Sequence, residues 1–317
     1  SKRRSIQPRT QEQLALRSQR LSILPSKTAW VHVEQISDKG HFSVVNLVKH
    51  KQTGTPAAVK VLDVDDILEV MKKTTSSKQI LARIDLEVTM LSMMNHPNVL
   101  KLTGVEKPTE KRVLIYTEYV SNGSLFSHMG RDGMHHDRAL HFFSQLVLGM
   151  EYVHSLNIIH CDLKLENLLV DVNEKLRIID FGLSFFDGDQ DKYFDGFTPY
   201  YVPPELADIK QKPSFAGDIW SAGIIFYALL TGTFPFPESG PDPGEFSIFF
   251  PKEVRRDEKK LLLCMLNLYP EHRPSFSDIS KDRLLNKKSL TEKIKALKPH
   301  RSEASLSSNN TDGPKNN

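Results

Sequence analysis

Three polar residues in a fixed order, Asp162, Asn167 and Asp180, are the part of this sequence best suited to chemistry. A carboxylate can accept the proton of a hydroxyl group, and carboxylate and amide oxygens are ligands for Mg²⁺. Phosphoryl transfer needs these groups because its catalysis consists mostly of positioning the reactants and neutralising charge. This set could therefore supply a proton acceptor for a hydroxyl and two oxygen ligands for Mg²⁺, the groups that phosphoryl transfer needs.

The segments around these residues resemble two motifs of the eukaryotic protein kinases. His-Cys-Asp-Leu-Lys-Leu-Glu-Asn (residues 160–167) is similar to the kinase catalytic loop, and Asp-Phe-Gly (residues 180–182) is similar to the metal-binding DFG motif. The resemblance implies that Asp162 orients the substrate hydroxyl and accepts its proton, and that Asn167 and Asp180 hold Mg²⁺. Lys164 matches the serine/threonine type, in which this lysine neutralises the transferring phosphoryl group.

A lysine and a glutamate in the first half of the chain extend the resemblance. Ala-Ala-Val-Lys (residues 57–60) matches the kinase strand whose lysine holds the nucleotide phosphates. Glu87 precedes His-Pro-Asn (residues 96–98) at the distance that kinases show for the glutamate of the neighbouring helix. The resemblance implies a Lys60–Glu87 ion pair that aims the ammonium group at the phosphates of ATP.

The resemblance also implies a pocket for ATP between two lobes. Thr117 takes the gatekeeper position, the residues after it form the hinge that contacts adenine, and apolar side chains enclose the adenine ring. The complete predicted set of cofactor-binding residues is Gly40, Val45, Ala58, Lys60, Thr117, Glu118, Val120 and Leu169.

The loop expected to cover the phosphates departs from the family pattern. Kinases usually show three glycines there, but this chain keeps only Gly40 and has Asp38 and Ser43 at the outer positions. Glycine lets backbone N–H groups approach phosphate, and a carboxylate at residue 38 is expected to lower the affinity for ATP. The loop is therefore also consistent with a pseudokinase that acts as a scaffold or allosteric partner.

Residues after the DFG motif match the kinase platform for peptides. Thr-Pro (residues 198–199) and Pro-Pro-Glu (residues 203–205) resemble the end of the activation segment, and Arg273 fits the arginine that pairs with Glu205. Asp218 resembles the aspartate that anchors the catalytic loop. This platform, with Lys164, argues against a second alternative, a small-molecule kinase of related fold. The matches cover roughly residues 30–285, and the long segment before Glu87 is similar to the calmodulin-dependent and AMP-activated branch.

Hydrophobic patterning predicts strands first and helices afterwards. Val-rich segments predict strands, and apolar residues at helical period predict helices. The predicted strands are His32–Lys49, Ala57–Leu62 and Val113–Tyr119, and the predicted helices are Ile80–Met94, Ala139–His154 and Asp218–Leu230. This order favours an α+β class, with a bilobal protein kinase fold of a small β-rich N-lobe and a larger α-helical C-lobe.

Bulk properties limit the remaining possibilities. The 317 residues suit a two-lobed domain with tails, and we expect a basic flexible arm (1–26), the N-lobe and hinge (27–119), the C-lobe (120–297) and a disordered polar tail (298–317). The net charge of +3 is too small to argue for a nucleic-acid partner, and the two cysteines are too far apart to suggest a disulfide framework.

No apolar run approaches the roughly 20 residues of a membrane span. We expect a cytoplasmic or nuclear protein whose partners are protein substrates with Ser or Thr acceptors; the oligomeric state is open.

One substitution bears on regulation. Most regulated kinases have an arginine before the catalytic aspartate, where it pairs with a phosphate on the activation segment, but here that position is Cys161. The segment Leu183–Thr198 also has no Ser or Thr in its middle and carries aspartates instead. The sequence therefore predicts a kinase that does not need phosphorylation of its activation segment.

Overall fold

The computed structural model describes residues 29–40, 43–71, 75–189, 198–207, 212–241 and 246–285. The N-terminal part of the described chain is a five-stranded antiparallel sheet with the strand order β1-β2-β3-β5-β4. Its strands are β1 (Trp30–Gly40), β2 (Ser43–His50), β3 (Pro56–Asp63), β4 (Leu102–Thr109) and β5 (Arg112–Glu118). β3 alternates buried and partly exposed residues over its first half, which is the pattern of a strand with one face in the core.

Two helices follow β3, α1 (Val64–Val70) and α2 (Ser77–Met93). A capping box begins α2, because the Ser76 hydroxyl accepts from the Gln79 amide while the Gln79 side chain accepts from the Ser76 amide. The buried stripe of α2 consists of Ile80, Ile84, Glu87, Val88, Met90 and Leu91. A carboxylate on this stripe must find a positive partner, since an unpaired buried charge is strongly unfavourable.

The larger C-terminal part is helical. It contains α3 (His136–Ser155), α4 (Phe215–Thr231), α5 (Arg256–Met265) and α6 (Phe276–Ile279), with short 3₁₀ helices at Leu125–His128, Leu165–Asn167, Pro204–Ala207, Pro270–His272 and Arg283–Leu285. α4 is buried on all sides from Gly217 to Leu230. It ends at Gly232, whose φ is +74° and where a Cβ would lie 2.1 Å from the Arg131 carbonyl oxygen, so only glycine fits there.

Two short antiparallel pairs frame the segment that carries the catalytic motifs. β6 (Ile158–Ile159) pairs with β9 (Phe185–Phe186), and β7 (Leu168–Val170) pairs with β8 (Leu176–Ile178). The segment between α2 and β4 also contacts the helical part, since the side-chain amide of Asn98 donates to the Gln145 side chain and to the Leu176 carbonyl oxygen, each at 3.1 Å. These connections place residues 160–167 and 180–182 at the boundary between the sheet and the helices.

The expected α+β bilobal fold is confirmed, and each predicted strand and helix corresponds to an observed one. The predicted strand His32–Lys49 is two strands, β1 and β2, and α2 begins three residues before the predicted start at Ile80. The domain boundaries expected at residues 26 and 297 lie outside the described residues, as do both predicted tails. No helix in the described part of the chain is long and apolar enough to cross a membrane.

Candidate active site

Lys60 on β3 connects the sheet, helix α2 and the DFG segment. Its Nζ lies 2.7 Å from Oε1 of Glu87 and 3.2 Å from Oδ1 of Asp180. Burial alone would lower the pKa of Lys60, but the charges of Asp180 and Glu87 outweigh burial and raise this pKa above its ordinary value. Lys60 is therefore a permanent cation held between two carboxylates.

Asp180 is held in a conformation that exposes its carboxylate to the cleft. Its φ is +64°, and its side chain is 43% exposed although Phe181, the next residue, is buried against His160 with ring centroids 4.9 Å apart. The positive charge of Lys60 lowers the pKa of Asp180, so the carboxylate is ionised at neutral pH. A Cβ on Gly182 would lie 3.1 Å from Asp180 Oδ1, so the absence of a side chain there leaves room for the carboxylate.

Asp218 of α4 positions the catalytic loop through its backbone. The amide of His160 donates to Oδ2 of Asp218 at 2.8 Å, and the amide of Cys161 donates to Oδ1 at 2.9 Å. The Nε2 atom of His154 lies 2.9 Å from the same Oδ2. Cys161 has a φ of +68°, an uncommon value for a residue with a side chain, and the buried Asp218 carboxylate stabilises it.

Asp162 is the centre of a network that joins the catalytic loop to the activation segment. Oδ1 accepts a 2.7 Å hydrogen bond from the Thr198 hydroxyl, and Oδ2 lies 2.7 Å from Lys164 Nζ. The same Lys164 Nζ donates to the Thr198 hydroxyl at 2.9 Å, and the Asn167 amide donates to Asp162 Oδ2 at 2.9 Å and to its carbonyl oxygen at 2.8 Å. These contacts fix the rotamer of Asp162 and place Lys164 beside it.

The predicted nucleotide residues lie on neighbouring strands. Ala58 pairs with Thr117 between β3 and β5, and Val45 on β2 pairs with Lys60. Leu169 on β7 forms a bridge with Ser124, just beyond the hinge. Val45, Ala58 and Thr117 therefore lie on adjacent strands of the sheet, and Leu169 lies on the short strand that follows the catalytic loop.

Two of the other predicted nucleotide residues sit in the hinge and one ends β1. Val120 is buried, and the carboxylate of Glu118 accepts from Arg177 Nε at 3.2 Å and from the Lys101 amide at 3.0 Å. Gly40 pairs with Ser43 where β1 meets β2. The side chain of Asp38, which we expected to weaken ATP binding, is outside the described part of the structure.

Helix α2 also contacts the start of the activation segment. Arg83 donates through Nη1 to the Ser184 carbonyl oxygen at 3.3 Å, and the buried Ser184 hydroxyl donates to the His160 carbonyl oxygen at 3.0 Å. Burial raises the pKa of the neighbouring Cys161 thiol well above its ordinary value, with the charges of Asp218 and Asp162 acting in the same direction and Arg83 opposing them. The segment from 190 to 197, where further aspartates were noted, lies outside the described residues.

The end of the activation segment is anchored to the helical lobe. Arg273 makes two parallel hydrogen bonds of 2.7 Å with the Glu205 carboxylate, and its guanidinium lies 5.0 Å from the ring centre of Trp220. A bidentate arginine–carboxylate pair of this kind is both strong and geometrically specific. The pairing expected from the sequence is therefore present, and it holds the segment that begins at Thr198.

Comparison with known proteins decides the family. The family model described as "Protein kinase domain" matches residues 31–285. The chain belongs to the protein kinase family. The expected family, and the kinase fold with it, are confirmed.

Individual relatives of this kinase are of the serine/threonine type. It is 32% identical over 271 residues to the serine/threonine-protein kinase SIK2 of Gallus gallus, covering 82% of this chain and 32% of the relative. It is 32% identical over 270 residues to the probable serine/threonine-protein kinase KCC4 of Saccharomyces cerevisiae, covering 82% of this chain and 26% of the relative. The kinase thus spans about a third or less of the length of the curated relatives it matches.

Sequence reasoning located the ionic residues of this kinase but missed several contacts between them. The sequence places Thr198 only at the end of the activation segment and does not indicate that its hydroxyl donates to Asp162. It also gives no sign of the contact between Arg83 and Ser184. The Thr-Pro dipeptide was the available signal for Thr198. No local pattern marked Arg83, because its partner is a backbone carbonyl about a hundred residues away.

Proposed function

We propose that this chain transfers the γ-phosphoryl group of ATP to Ser or Thr hydroxyls of protein substrates. The observation that carries the proposal is the position of Lys60, 2.7 Å from Glu87 and 3.2 Å from Asp180. Kinase catalysis requires this lysine–glutamate pair and the DFG aspartate to be in place together. Serine/threonine kinases among the relatives support the choice of acceptor.

Each polar side chain then has a role in transfer. Asp162 orients the acceptor hydroxyl and takes its proton as the oxygen attacks the γ-phosphorus, while the bond to the β-phosphate oxygen breaks and ADP leaves. Lys60 binds the nucleotide phosphates, and Lys164, which lies beside Asp162, offsets charge on the phosphoryl group in transit. Glu87 acts on the reaction only by holding Lys60.

The residues fit a magnesium ion. Asp180 offers an ionised and exposed carboxylate, and Asn167, the last residue of the catalytic loop, has an amide oxygen to offer while its amide nitrogen donates to Asp162. Mg²⁺ prefers one or two protein oxygens and completes its coordination with phosphate oxygens and water. When bound by Asp180 and Asn167, it would neutralise charge on the phosphates of ATP.

Adenine is expected between Val45, Ala58 and Leu169, with its edge toward the hinge residues Thr117, Glu118 and Val120. The Glu118 carboxylate accepts a hydrogen bond from Arg177. We therefore expect Glu118 to contact adenine through its backbone and not through its charged side chain. Gly40 is the one glycine that we assign to the phosphate-covering loop.

We further propose that activity does not need phosphorylation of the activation segment. Cys161 has no charge with which to bind a phosphate, and its raised thiol pKa keeps it neutral. Arg83 ties helix α2 to Ser184 through a backbone carbonyl, which is a contact that needs no phosphate. The Ser184 hydroxyl in turn donates to the His160 carbonyl oxygen. These two hydrogen bonds connect the helix that carries Glu87 to the catalytic loop.

The test is transfer of radiolabelled phosphate from ATP and Mg²⁺ to a mixed array of Ser, Thr and Tyr peptides. Wild type and Asp180→Ala are compared, each before and after a general protein phosphatase that is then removed. We expect transfer by wild type to Ser and Thr, no transfer by the variant and no loss after phosphatase. ATP binding without transfer would instead identify a pseudokinase, and a large loss after phosphatase would contradict the regulatory proposal alone.

Cytoplasmic or nuclear location remains part of the proposal, to be tested by microscopy of the tagged full-length protein.

A further inference from the structure

Helix α5 presents a row of cations and one leucine to solvent. The buried residues of the helix recur at helical period and face the core; they are Glu258, Leu261, Leu262 and Met265. A second set has the same spacing two positions earlier and therefore lies on the opposite side of the helix; it consists of Arg256, Lys259, Lys260 and Leu263. Leu263 is 51% exposed. We call this row, together with the neighbouring Phe249, the α5 surface.

An exposed phenylalanine lies beside this row. The side chain of Phe249 is 77% exposed, although the Tyr227 hydroxyl donates to its carbonyl oxygen at 2.7 Å. The next ring, Phe250, packs against the core, and Nζ of Lys259 lies 5.8 Å from the centre of that ring. Consecutive Cα atoms are about 3.8 Å apart, so Phe249 lies close to Lys259. The backbone hydrogen bond holds the Phe249 ring at the surface, where it exposes a large apolar area.

The three cations of the α5 surface oppose one another. Residues three and four apart are neighbours on a helix, so Arg256 lies beside Lys259 and Lys260, and like charges in this arrangement are destabilising. Arg256 is also the first residue of α5 and meets the positive end of the helix dipole. None of the three forms an ion pair with another residue of the described part of the chain, whereas the preceding Arg255 lies 3.8 Å from Asp137. An anionic partner would relieve this repulsion.

We propose that the α5 surface binds an acidic segment of a partner protein that also carries a large apolar side chain. The row from Arg256 to Leu263 is about 11 Å long, because a helix rises 1.5 Å per residue. An extended peptide advances about 3.3 Å per residue, so about four residues cover the row. The segment that fits therefore has carboxylates within about four residues of a Leu, Ile or Phe. The carboxylates pair with the cations, and the apolar side chain covers Leu263 and Phe249.

Charge argues against the other occupants of this surface. Residues 1–28 and 286–317, which lie outside the described part of the chain, each contain more Lys and Arg than Asp and Glu. A second copy of the chain that placed its own α5 surface here would bring like charges together. A flat anionic membrane would approach the exposed carboxylates of Glu253 and Asp257 as well as the cations, whereas a peptide that lies along the row avoids them.

The test is fluorescence anisotropy of the full chain with three labelled peptides of about ten residues. The first has Glu residues around a central Leu, the second has Ala in place of the Leu, and the third has Lys in place of each Glu. The quantity measured is the Kd of each peptide at low and at physiological ionic strength. We expect the Glu–Leu peptide to bind about three- to tenfold more tightly than the Glu–Ala peptide, and the Lys peptide not to bind. The affinity of the Glu–Leu peptide should decrease with added salt.

Two double variants separate a local site from an effect of net charge. Lys259→Glu with Lys260→Glu reverses the charge of the row, and Lys49→Glu with Lys51→Glu makes the same change of net charge at exposed lysines of the N-terminal part. The first pair should weaken binding of the Glu–Leu peptide by about tenfold or more, and the second pair by much less. Phe249→Ser should remove most of the preference for Leu over Ala, because it removes the exposed ring. Thermal unfolding checks that each variant is folded.

Three results would overturn the inference. Equal weakening by both double variants would show that net charge alone attracts the peptide. Binding of vesicles of phosphatidylserine and phosphatidylcholine, without binding of the Glu–Leu peptide, would identify a membrane surface instead. Absence of binding of that peptide below about 1 mM would show that the surface has no such partner. Arg256→Glu with Lys260→Glu replaces the first pair if that pair does not fold, and the assay measures binding alone, so its result is independent of the proposed phosphoryl transfer.

Discussion

The hydroxyl group of Thr198 donates a 2.7 Å hydrogen bond to Oδ1 of Asp162, while Lys164 lies 2.7 Å from Oδ2 of the same carboxylate. The activation segment and the catalytic loop therefore meet at the group that we assign as the proton acceptor. Because the two oxygens have different partners, the carboxylate cannot rotate freely. A hydroxyl placed against it would meet a preset orientation, which is how positioning lowers a barrier.

Removal of the Thr198 hydroxyl should therefore lower kcat. We expect Thr198→Ala to reduce kcat by about ten- to a hundredfold. The effect on KM for ATP should be smaller, because the hydrogen bonds of the Thr198 hydroxyl join it to Asp162 and Lys164 and not to the residues that we assign to the nucleotide. Thr198→Ser keeps the hydroxyl and should retain most of the activity. Steady-state kinetics on one peptide measures both, and equal activity of the Ala and Ser variants would contradict the role.

The pairing of Lys60 should stabilise the fold over the whole neutral range. Its folded pKa is raised above 10.5, so the stabilisation is fully present below about pH 10.5 and is lost as the pH rises through the folded pKa. The folded pKa of Asp180 is lowered below 3.8, so its contribution is present above about pH 3.8 and is lost as the pH falls through the folded value.

We expect the difference in unfolding free energy between wild type and Lys60→Met to be constant from about pH 5 to about pH 9, measured by urea denaturation. Lys107→Met is the matched control, since Lys107 also lies 2.7 Å from an aspartate, Asp85, but both side chains are more than half exposed. Its effect should be small and should decrease with added salt. A Lys60→Met difference that varies through neutral pH would contradict the charge states assigned here.

The Arg273–Glu205 pair should be important for stability. Arg273 is fully buried at its side chain and makes both hydrogen bonds to the carboxylate, so Arg273→Met leaves Glu205 without its partner. We expect a loss of about 3 to 5 kcal/mol in unfolding free energy, seen as a lower melting temperature. Arg273→Lys should recover only part of this, because lysine cannot make the bidentate contact. A change below about 0.5 kcal/mol for Arg273→Met would show that the pair contributes little.

The two thiols should differ in reactivity. Burial raises the pKa of Cys161, whereas Cys264 is exposed. Because the thiolate is the reactive form, iodoacetamide near pH 8 should modify Cys264 and spare Cys161 in the folded protein, as read by mass spectrometry of peptides. Both should react after unfolding, which is the control. Rapid modification of folded Cys161 would contradict the protection that we assign to its buried thiol.

Motifs and hydrophobic patterning were enough to predict the family, the order of strands and helices, and the charged and polar residues of the candidate site. Lys60, Glu87, Asp162, Asn167 and Asp180 could be named because the segments around them resemble kinase motifs, in which phosphoryl transfer demands particular charged and polar groups. Glu87 could also be placed on a helix, since the apolar residues around it recur at helical period. Val-rich segments likewise predicted strands of the sheet.

The contacts between segments that are distant in the chain could be seen only once the chain was folded. Thr198 with Asp162, Arg83 with Ser184, and Tyr200 with Phe234 are contacts between segments far apart in the chain. Such contacts leave no periodic signal, because each depends on the packing of several elements and, for Ser184, on a backbone carbonyl that every residue possesses. The strained backbone of Tyr200 is similarly invisible in the sequence, because the surrounding fold and not the residue type imposes its left-handed φ.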